Sequence, residues 1–353
     1  MEGSGAYDAS SEYQRRTAAS DEERLRAAVS RVSMPKGAFT IVDYGAATGR
    51  NSIHAVRMAV EAVRQRVATA PVICVHNDLF TNDWNGLFAN LASSPDSYLR
   101  LDPPPVAMAA PGSFYDVVVP AASVQLGVSF SAAHWLRTQP QLAVPGGISF
   151  SEATGAARVA LREAAATDWR RFLECRATEL TAGGRLIVGC VGTQVEADGI
   201  EHVTARKLLL LMAAIVDDMA NAGRLRTDVV RNYVFPTYAR TVSEAVAPVA
   251  DANAQLGDLF TVEVAETHAV PNPYLDRYRS DGDAPRYARD YAAFVRAFSG
   301  SALRDGLFTP GSTGEDPDAL LDAFFAQMEA RVRTRPDEGV FEDWTLSVVL
   351  ARR

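Results

Sequence analysis

The stretch from Phe39 to Val63 constrains this chain more than any other. An apolar run, Phe39, Ile41 and Val42, ends in an acid, Asp43. A small-residue turn follows, Gly45-Ala46-Ala47-Thr48-Gly49, and then apolar residues at helical spacing, Ile53, Val56, Val60 and Val63. The pattern is a strand, a tight turn and a helix. In an open α/β sheet, ligands sit at the carboxyl ends of strands beside such turns. Gly45 and Gly49 let the backbone come close to a ligand where a Cβ would block it. The spacing is D-x-G-x-x-x-G, not the G-x-G-x-x-G that offers bare N–H groups to a diphosphate. An acid at the strand end suits a cationic or amine-bearing ligand. S-adenosylmethionine (SAM), with its ammonium and sulfonium, is one such ligand; an ordinary β–turn–α corner fits the same residues.

The chain has 353 residues, enough for one large domain with an insertion or for two domains. Hydrophobic residues make up 48%, which allows a full core. The net charge of −8 argues against a nucleic-acid surface, which needs clustered Lys and Arg. Cys74 and Cys190 lie in apolar strand-like runs and, with Cys175, read as buried free thiols. Met1 to Arg16 has no apolar core of the signal-peptide kind. The longest apolar run, Leu208 to Val216, is too short to span a bilayer. The expected location is the cytoplasm, with no membrane partner.

Strands are expected at 38–43, 71–76, 123–129 and 185–191, with helices at 21–32 and 152–180. Strands alternating with helices imply a parallel sheet. Gly183-Gly184 reads as the stop of the 152–180 helix. Helices follow at 203–222, 241–254 and 285–299, and Gly311 to Asp318 reads as a loop. Leu259 to Ala265 and Trp344 to Leu350 alternate like strands. Strands at both ends of a helix-rich stretch imply a helical insertion capping a sheet.

Other segments are open to two readings each. Asp78, in His76-Asn77-Asp78-Leu79, is placed to accept hydrogen bonds from two ribose hydroxyls, or is a loop acid. Asn82-Asp83-Trp84-Asn85 reads as a polar turn into a helix. Gly112-Ser113-Phe114-Tyr115 offers a hydroxyl and an aromatic to flank an adenine ring, or is a turn with core aromatics. In His134-Trp135-Leu136 the indole N–H can orient a carboxylate in an apolar pocket, or the Trp is core. No acid neighbours His134 in sequence, there is no G-x-S-x-G, and the five histidines lack zinc spacing.

In order, these segments resemble the SABATH family, named for the salicylic acid, benzoic acid and theobromine methyltransferases of plants. The family's S-Y-x-x-N-S-x-x-Q is matched by Ala6 to Gln14, its D-L-G-C-S-S-G-P-N by Asp43 to Asn51, and its L-N-D-L-x-x-N-D-F-N by His76 to Asn85. G-S-F-Y stands at 112–115, with Pro120 and Ser123 after it, and H-W-L at 134–136. F-L-x-x-R-x-x-E-L-x-x-G-G-R is matched by Phe172 to Arg185, and Ser347 to Arg352 resembles the closing strand.

The resemblance implies a Rossmann-like SAM-dependent methyltransferase sheet with an inserted, largely helical cap. It divides the chain into an arm closing the site (1–20), a SAM-binding core (21–192), a cap with a core strand near 258–265 (193–335) and a final strand (336–353). It implies that Ser11, Asp43, Gly45, Asn51, Asp78, Leu79, Ser113 and Phe114 contact SAM, with Tyr7 closing the site. Gln14 and Trp135 would hold the acceptor carboxylate, with His134 bordering it. The family pattern's Cys-Ser-Ser is Ala46-Ala47-Thr48 here, and Ser131 replaces an aromatic four residues before the Trp. A metal-linked D-x-F-N of some plant members is Arg231-Asn232-Tyr233-Val234, so no metal is expected.

The expected activity is methyl transfer from SAM to the carboxylate of a small, mostly apolar or aromatic acid, benzoate- or salicylate-like, releasing S-adenosylhomocysteine (SAH). Leu211, Met212, Ile215 and Phe235 are candidates for the acceptor wall, and equally for ordinary core. The alternatives are N-methylation of a small heterocycle on the same fold and a non-catalytic binding protein. A homodimer is expected from the same resemblance.

Overall fold

The computed structural model describes residues 21–138, 142–144, 147–251, 254–309 and 314–353. At its centre is the strand–turn–helix of Phe39 to Val63. Strand β1 (Phe39–Tyr44) is buried at every position but Thr40. That is the run expected of a parallel strand covered on both faces. Helix α1 (Glu22–Arg31) precedes it and helix α2 (Arg50–Arg66) follows it. Ile53, Val56, Val60 and Val63 of α2 are all at most 3% exposed, so the helical spacing does select the face packed on the sheet.

The remaining strands are β2 (Val72–Asp78), β3 (Val106–Pro111), β4 (Val124–Phe130), β5 (Leu180–Val191), β8 (Phe260–Val270) and β9 (Asp343–Arg352). With β1 they form a seven-stranded sheet in the order β3-β2-β1-β4-β5-β9-β8. Strands β1 to β5 are parallel, and β9 runs antiparallel to both β5 and β8. The strand order reverses between β1 and β4, the place where open α/β sheets leave a crevice at their carboxyl edge.

One sheet face is covered by α1 and α2. The other carries helix α4 (Gly155–Glu179), whose Trp169, Phe172, Leu173 and Ala177 pack with Val42, Leu186, Val188 and Leu350. Helix α3 (Trp84–Ser93) follows β2, and Asp83 caps it by accepting the Gly86 N–H at 2.8 Å. A two-stranded ribbon, β6 (Thr193–Val195) and β7 (Glu201–Val203), follows β5. After it come helices α5 (Arg206–Asn221), α6 (Thr227–Arg231) and α7 (Val242–Ala250). Helices α8 (Pro273–Asp281), α9 (Ala284–Gly306) and α10 (Pro317–Thr334) lie between β8 and β9 in sequence. Helices α5, α8, α9 and α10 bury a core of their own, including Met212, Tyr291, Phe294, Phe324 and Met328.

The structure corrects several expectations. Helix α4 stops at Glu179, and Gly183-Gly184 lie inside β5. Gly183 has φ +77° there, beside an irregularity in the β4–β5 register. Strand β3 was not expected: Val106-Ala107-Met108-Ala109-Ala110-Pro111 is poor in β-branched residues, and backbone pairing with β2 along the edge makes it a strand. Helices α8 and α10 were also not expected, although Asn272-Pro273 and Asp316-Pro317 are N-cap and N1 pairs. The loop expected at Gly311 to Asp318 ends where α10 begins, and residues 310–313 lie outside the described chain.

Candidate active site

The crevice is built first by turns. After Asp43 the backbone enters the left-handed region at Gly45 (φ +89°) and again at Gly49 (φ +84°). A Cβ at Gly45 would stand 2.3 Å from Cβ of Ala132, so only glycine lets the turn after β1 meet the turn after β4. Between them Ala47 also has positive φ, +50°. It is held from both sides: its N–H donates to Asp78 Oδ2 and its carbonyl accepts from Asn82 Nδ2, each at 2.8 Å. Asp78 Oδ1 accepts the N–H of Leu79, also at 2.8 Å. Burial pushes the Asp78 carboxyl above its usual range, against these backbone bonds, which favour the ionised form.

Asp43 is 3% exposed and lies opposite His76 in the β1–β2 register. Its Oδ2 is 3.1 Å from His76 Nδ1, and His76 Nε2 is 2.8 Å from the Tyr98 hydroxyl.

The third wall is the segment after β3. Gly112 N–H donates to the Asp78 carbonyl at 2.8 Å, and Asn77 Nδ2 donates to the carbonyls of Ala110 and Gly112. From beneath, a buried ion pair grips the same segment. Arg176 Nε bonds Glu179 Oε2 at 2.7 Å, both side chains being fully buried. Arg176 also donates to the carbonyls of Phe114 and Asp116, and Glu179 Oε1 accepts the Val118 N–H. Tyr44 at the end of β1 donates its hydroxyl to Glu179 Oε2 at 2.7 Å. The R-x-x-E of the sequence motif thus ties the end of β1 to the 113–118 loop.

The fourth wall is His134-Trp135-Leu136. This segment is paired with Pro236 to Tyr238: Leu136 N–H donates to the Pro236 carbonyl, Tyr238 N–H to the His134 carbonyl, and Trp135 bridges Thr237. The Tyr115 hydroxyl donates to the Trp135 carbonyl, and the indole lies 5.6 Å from the Phe235 ring. Behind His134, the buried Arg240 donates to the carbonyls of Ala133 and Ala165, each at 2.9 Å. Burial, helped by the Arg240 charge, lowers the His134 pKa to about 3, so the imidazole is neutral near pH 7.

These walls enclose one cavity of about 530 Å³. Asp43, Gly45, Asp78, Leu79, Ser113, Phe114, His134 and Trp135 all line it. Asn51 stands in the first turn of α2; its side chain, and Tyr7, Ser11 and Gln14, lie outside the described residues. Of the four acceptor-wall candidates, Phe235 lines the cavity, whereas Leu211, Met212 and Ile215 are buried in the helical core away from it. The wall from α5 is Leu208 and Leu209, and α9 and the β9 approach add Phe294, Phe298 and Phe341. For the four on α5 and α9 helical phase was the only sequence signal, and it does not say which neighbour a buried face meets.

The donor set fits SAM. Two buried carboxylates, Asp43 and Asp78, stand at the ends of adjacent parallel strands, and both line the cavity together with Phe114. Among the described residues no group of three or more His, Cys, Asp or Glu side chains is placed to hold a metal.

Comparison with known proteins agrees. Residues 2–353 match the model of a family described as SAM dependent carboxyl methyltransferase. The chain is 28% identical to the O-methyltransferase acrG of Aspergillus aculeatus over 340 residues, covering 89% of this chain and 85% of that protein. It is 25% identical to gibberellic acid methyltransferase 1 of Arabidopsis thaliana, covering 77% of each. A solved structure of a loganic acid methyltransferase with SAH superimposes with a TM-score of 0.80 at 22% identity, covering 100% of this chain and 98% of the other, and so shares the fold. The chain belongs to the SAM-dependent carboxyl methyltransferase family.

Proposed function

We propose that this carboxyl methyltransferase esterifies a small, mostly apolar acid, aromatic acids included. The observation that carries the reading is that one cavity joins the strand-end carboxylates Asp43 and Asp78 to an indole and an aromatic wall, Trp135 with Phe235, Phe294, Phe298 and Phe341. In this reading Asp78 takes the ribose hydroxyls of SAM, Asp43 its ammonium, and Ser113 and Phe114 its adenine, with Asn51 and Ser11 completing the contacts. Trp135 and Gln14 hold one oxygen of the acceptor carboxylate. The arm 1–20, with Tyr7, and the helices within 193–335 close the site over both.

SAM, when bound, supplies an electrophilic methyl group. A carboxylic acid is ionised at pH 7, since its pKa is near 4, so the protein need not remove a proton. A neutral His134 beside the acceptor fits that requirement. The protein's work is placement: holding the carboxylate oxygen in line with the methyl carbon is worth roughly 7–11 kcal/mol of the barrier. An apolar wall helps again, because water that solvates the carboxylate is excluded where charge is about to be neutralised.

The test is turnover of methyl-labelled SAM with a panel of benzoate-like, indole-acetate-like and larger alicyclic acids. A base-labile methyl ester, formed by the wild type and lost in Asp78→Ala and Trp135→Ala, is expected for at least one apolar acid. Turnover only with polar acids, or with ring nitrogens in place of carboxylates, overturns the reading.

A further inference from the structure

The family pattern at the end of the second strand, L-N-D-L, reads His76-Asn77-Asp78-Leu79 in this chain, so a histidine stands where the pattern has leucine. The structure gives that histidine two partners. His76 is fully buried, and its ring bridges Asp43 Oδ2 (3.1 Å from Nδ1) and the Tyr98 hydroxyl (2.8 Å from Nε2). Tyr98 is itself fully buried in the one-turn 3₁₀ segment Tyr98–Arg100, its ring stacked on the imidazole at 5.9 Å.

We propose that His76 is a positioning residue for the methyl donor: together with Tyr98 it fixes the Asp43 carboxylate in the orientation that receives the donor's ammonium. The inference rests on the reading of Asp43 given above. An ionised carboxylate only accepts hydrogen bonds, so the proton on the Asp43 side of the ring belongs to Nδ1. That bond pins Oδ2 and with it the carboxylate plane, while the same carboxylate lines the cavity. A group locked before the ligand arrives loses no rotamer freedom on binding, which strengthens the contact it makes.

The test separates the amino-acid end of the donor from the nucleoside end. SAH carries the ammonium; 5′-methylthioadenosine lacks the whole amino-acid arm but keeps the adenosine. Titration calorimetry on the full chain measures both. His76→Leu is expected to weaken SAH about tenfold, the worth of one hydrogen bond to a charged group, and to leave methylthioadenosine unchanged. His76→Asn, whose amide N–H can stand where Nδ1 stood, is expected to recover most of the lost SAH affinity. The double variant His76→Leu/Tyr98→Phe removes the tyrosine hydroxyl that the single variant would strand, and is expected to behave as the single one does. Equal weakening of both ligands, or of neither, in folded His76→Leu overturns the proposal. If Asp43→Asn itself leaves the ratio of the two affinities unchanged, the reading of Asp43 fails and the proposal falls with it; if Asp43→Asn alters the ratio and His76→Leu does not, only the proposal fails.

Discussion

At the scale of single residues, the site's chemistry depends on which groups carry charge. His134 is neutral in the fold because it is buried near the Arg240 guanidinium. A histidine whose folded pKa lies below the unfolded value stabilises the fold above that unfolded value. The contribution is lost as pH falls below about 6.5, because the unfolded chain takes up a proton that the folded one refuses. Each pH unit between the two values withdraws about 1.4 kcal/mol. Urea unfolding of the wild type and of His134→Gln at pH 7 and pH 5 checks this: the wild type should lose about 2 kcal/mol more than the variant over that interval. An equal loss in both would show that His134 is not held neutral. Asp43 could be singled out from the sequence because an acid ends an apolar run beside a glycine turn; Asp78, Ser113, Phe114 and Trp135 were singled out by the order of motifs in the family resemblance, and all five line the cavity. The bond from Ala47 to Asp78 and the ring bridging Asp43 to Tyr98 could not be read from the sequence, because the partners lie on different elements.

At the scale of elements, the sequence was most legible where periodicity and caps speak. β1, α2 and α4 follow their hydrophobic spacing, and Asp83 starts α3 where a polar turn was expected. Strand β3 was illegible because an edge strand is made by its neighbour's hydrogen bonds rather than by its own side chains. The Arg176–Glu179 pair shows both sides of this. Its i, i+3 spacing on α4 is visible in the sequence, but its grip on the loop around Phe114 and Asp116 is not. Removing one member of a buried ion pair strands the other, so Arg176→Met should cost about 3–5 kcal/mol of stability and raise the KM for SAM through the loosened loop. The double variant Arg176→Met/Glu179→Leu should lose less than the sum of its singles. Unfolding curves and SAM kinetics on the three variants measure both effects, and strict additivity would contradict the coupling.

At the scale of the whole molecule, the site exists because two cores meet. The sheet supplies Asp43 at the end of β1, beside the point where its strand order reverses, and Asp78 at the end of the neighbouring β2, and the helical core supplies Phe294, Phe298 and Phe341. A ligand that binds only the folded state stabilises it by mass action, so SAH at a hundred times its dissociation constant should add about 2.7 kcal/mol to the unfolding free energy. Urea titrations with and without SAH test this, and no gain would show that SAH does not bind the folded chain in preference to the unfolded one. The sequence by itself determined the strand–turn–helix around Asp43 and the helical face of α2 that packs on the sheet. These are local properties, written in spacing and side-chain chemistry. Only the tertiary structure decided that Leu208 and Leu209, rather than Leu211 and Met212, face the cavity, and that Trp135 is held by Pro236 to Tyr238. The physical reason is that a helix's hydrophobic face records that it is buried but not against what, and that pairings a hundred residues apart leave no trace in the spacing of either partner.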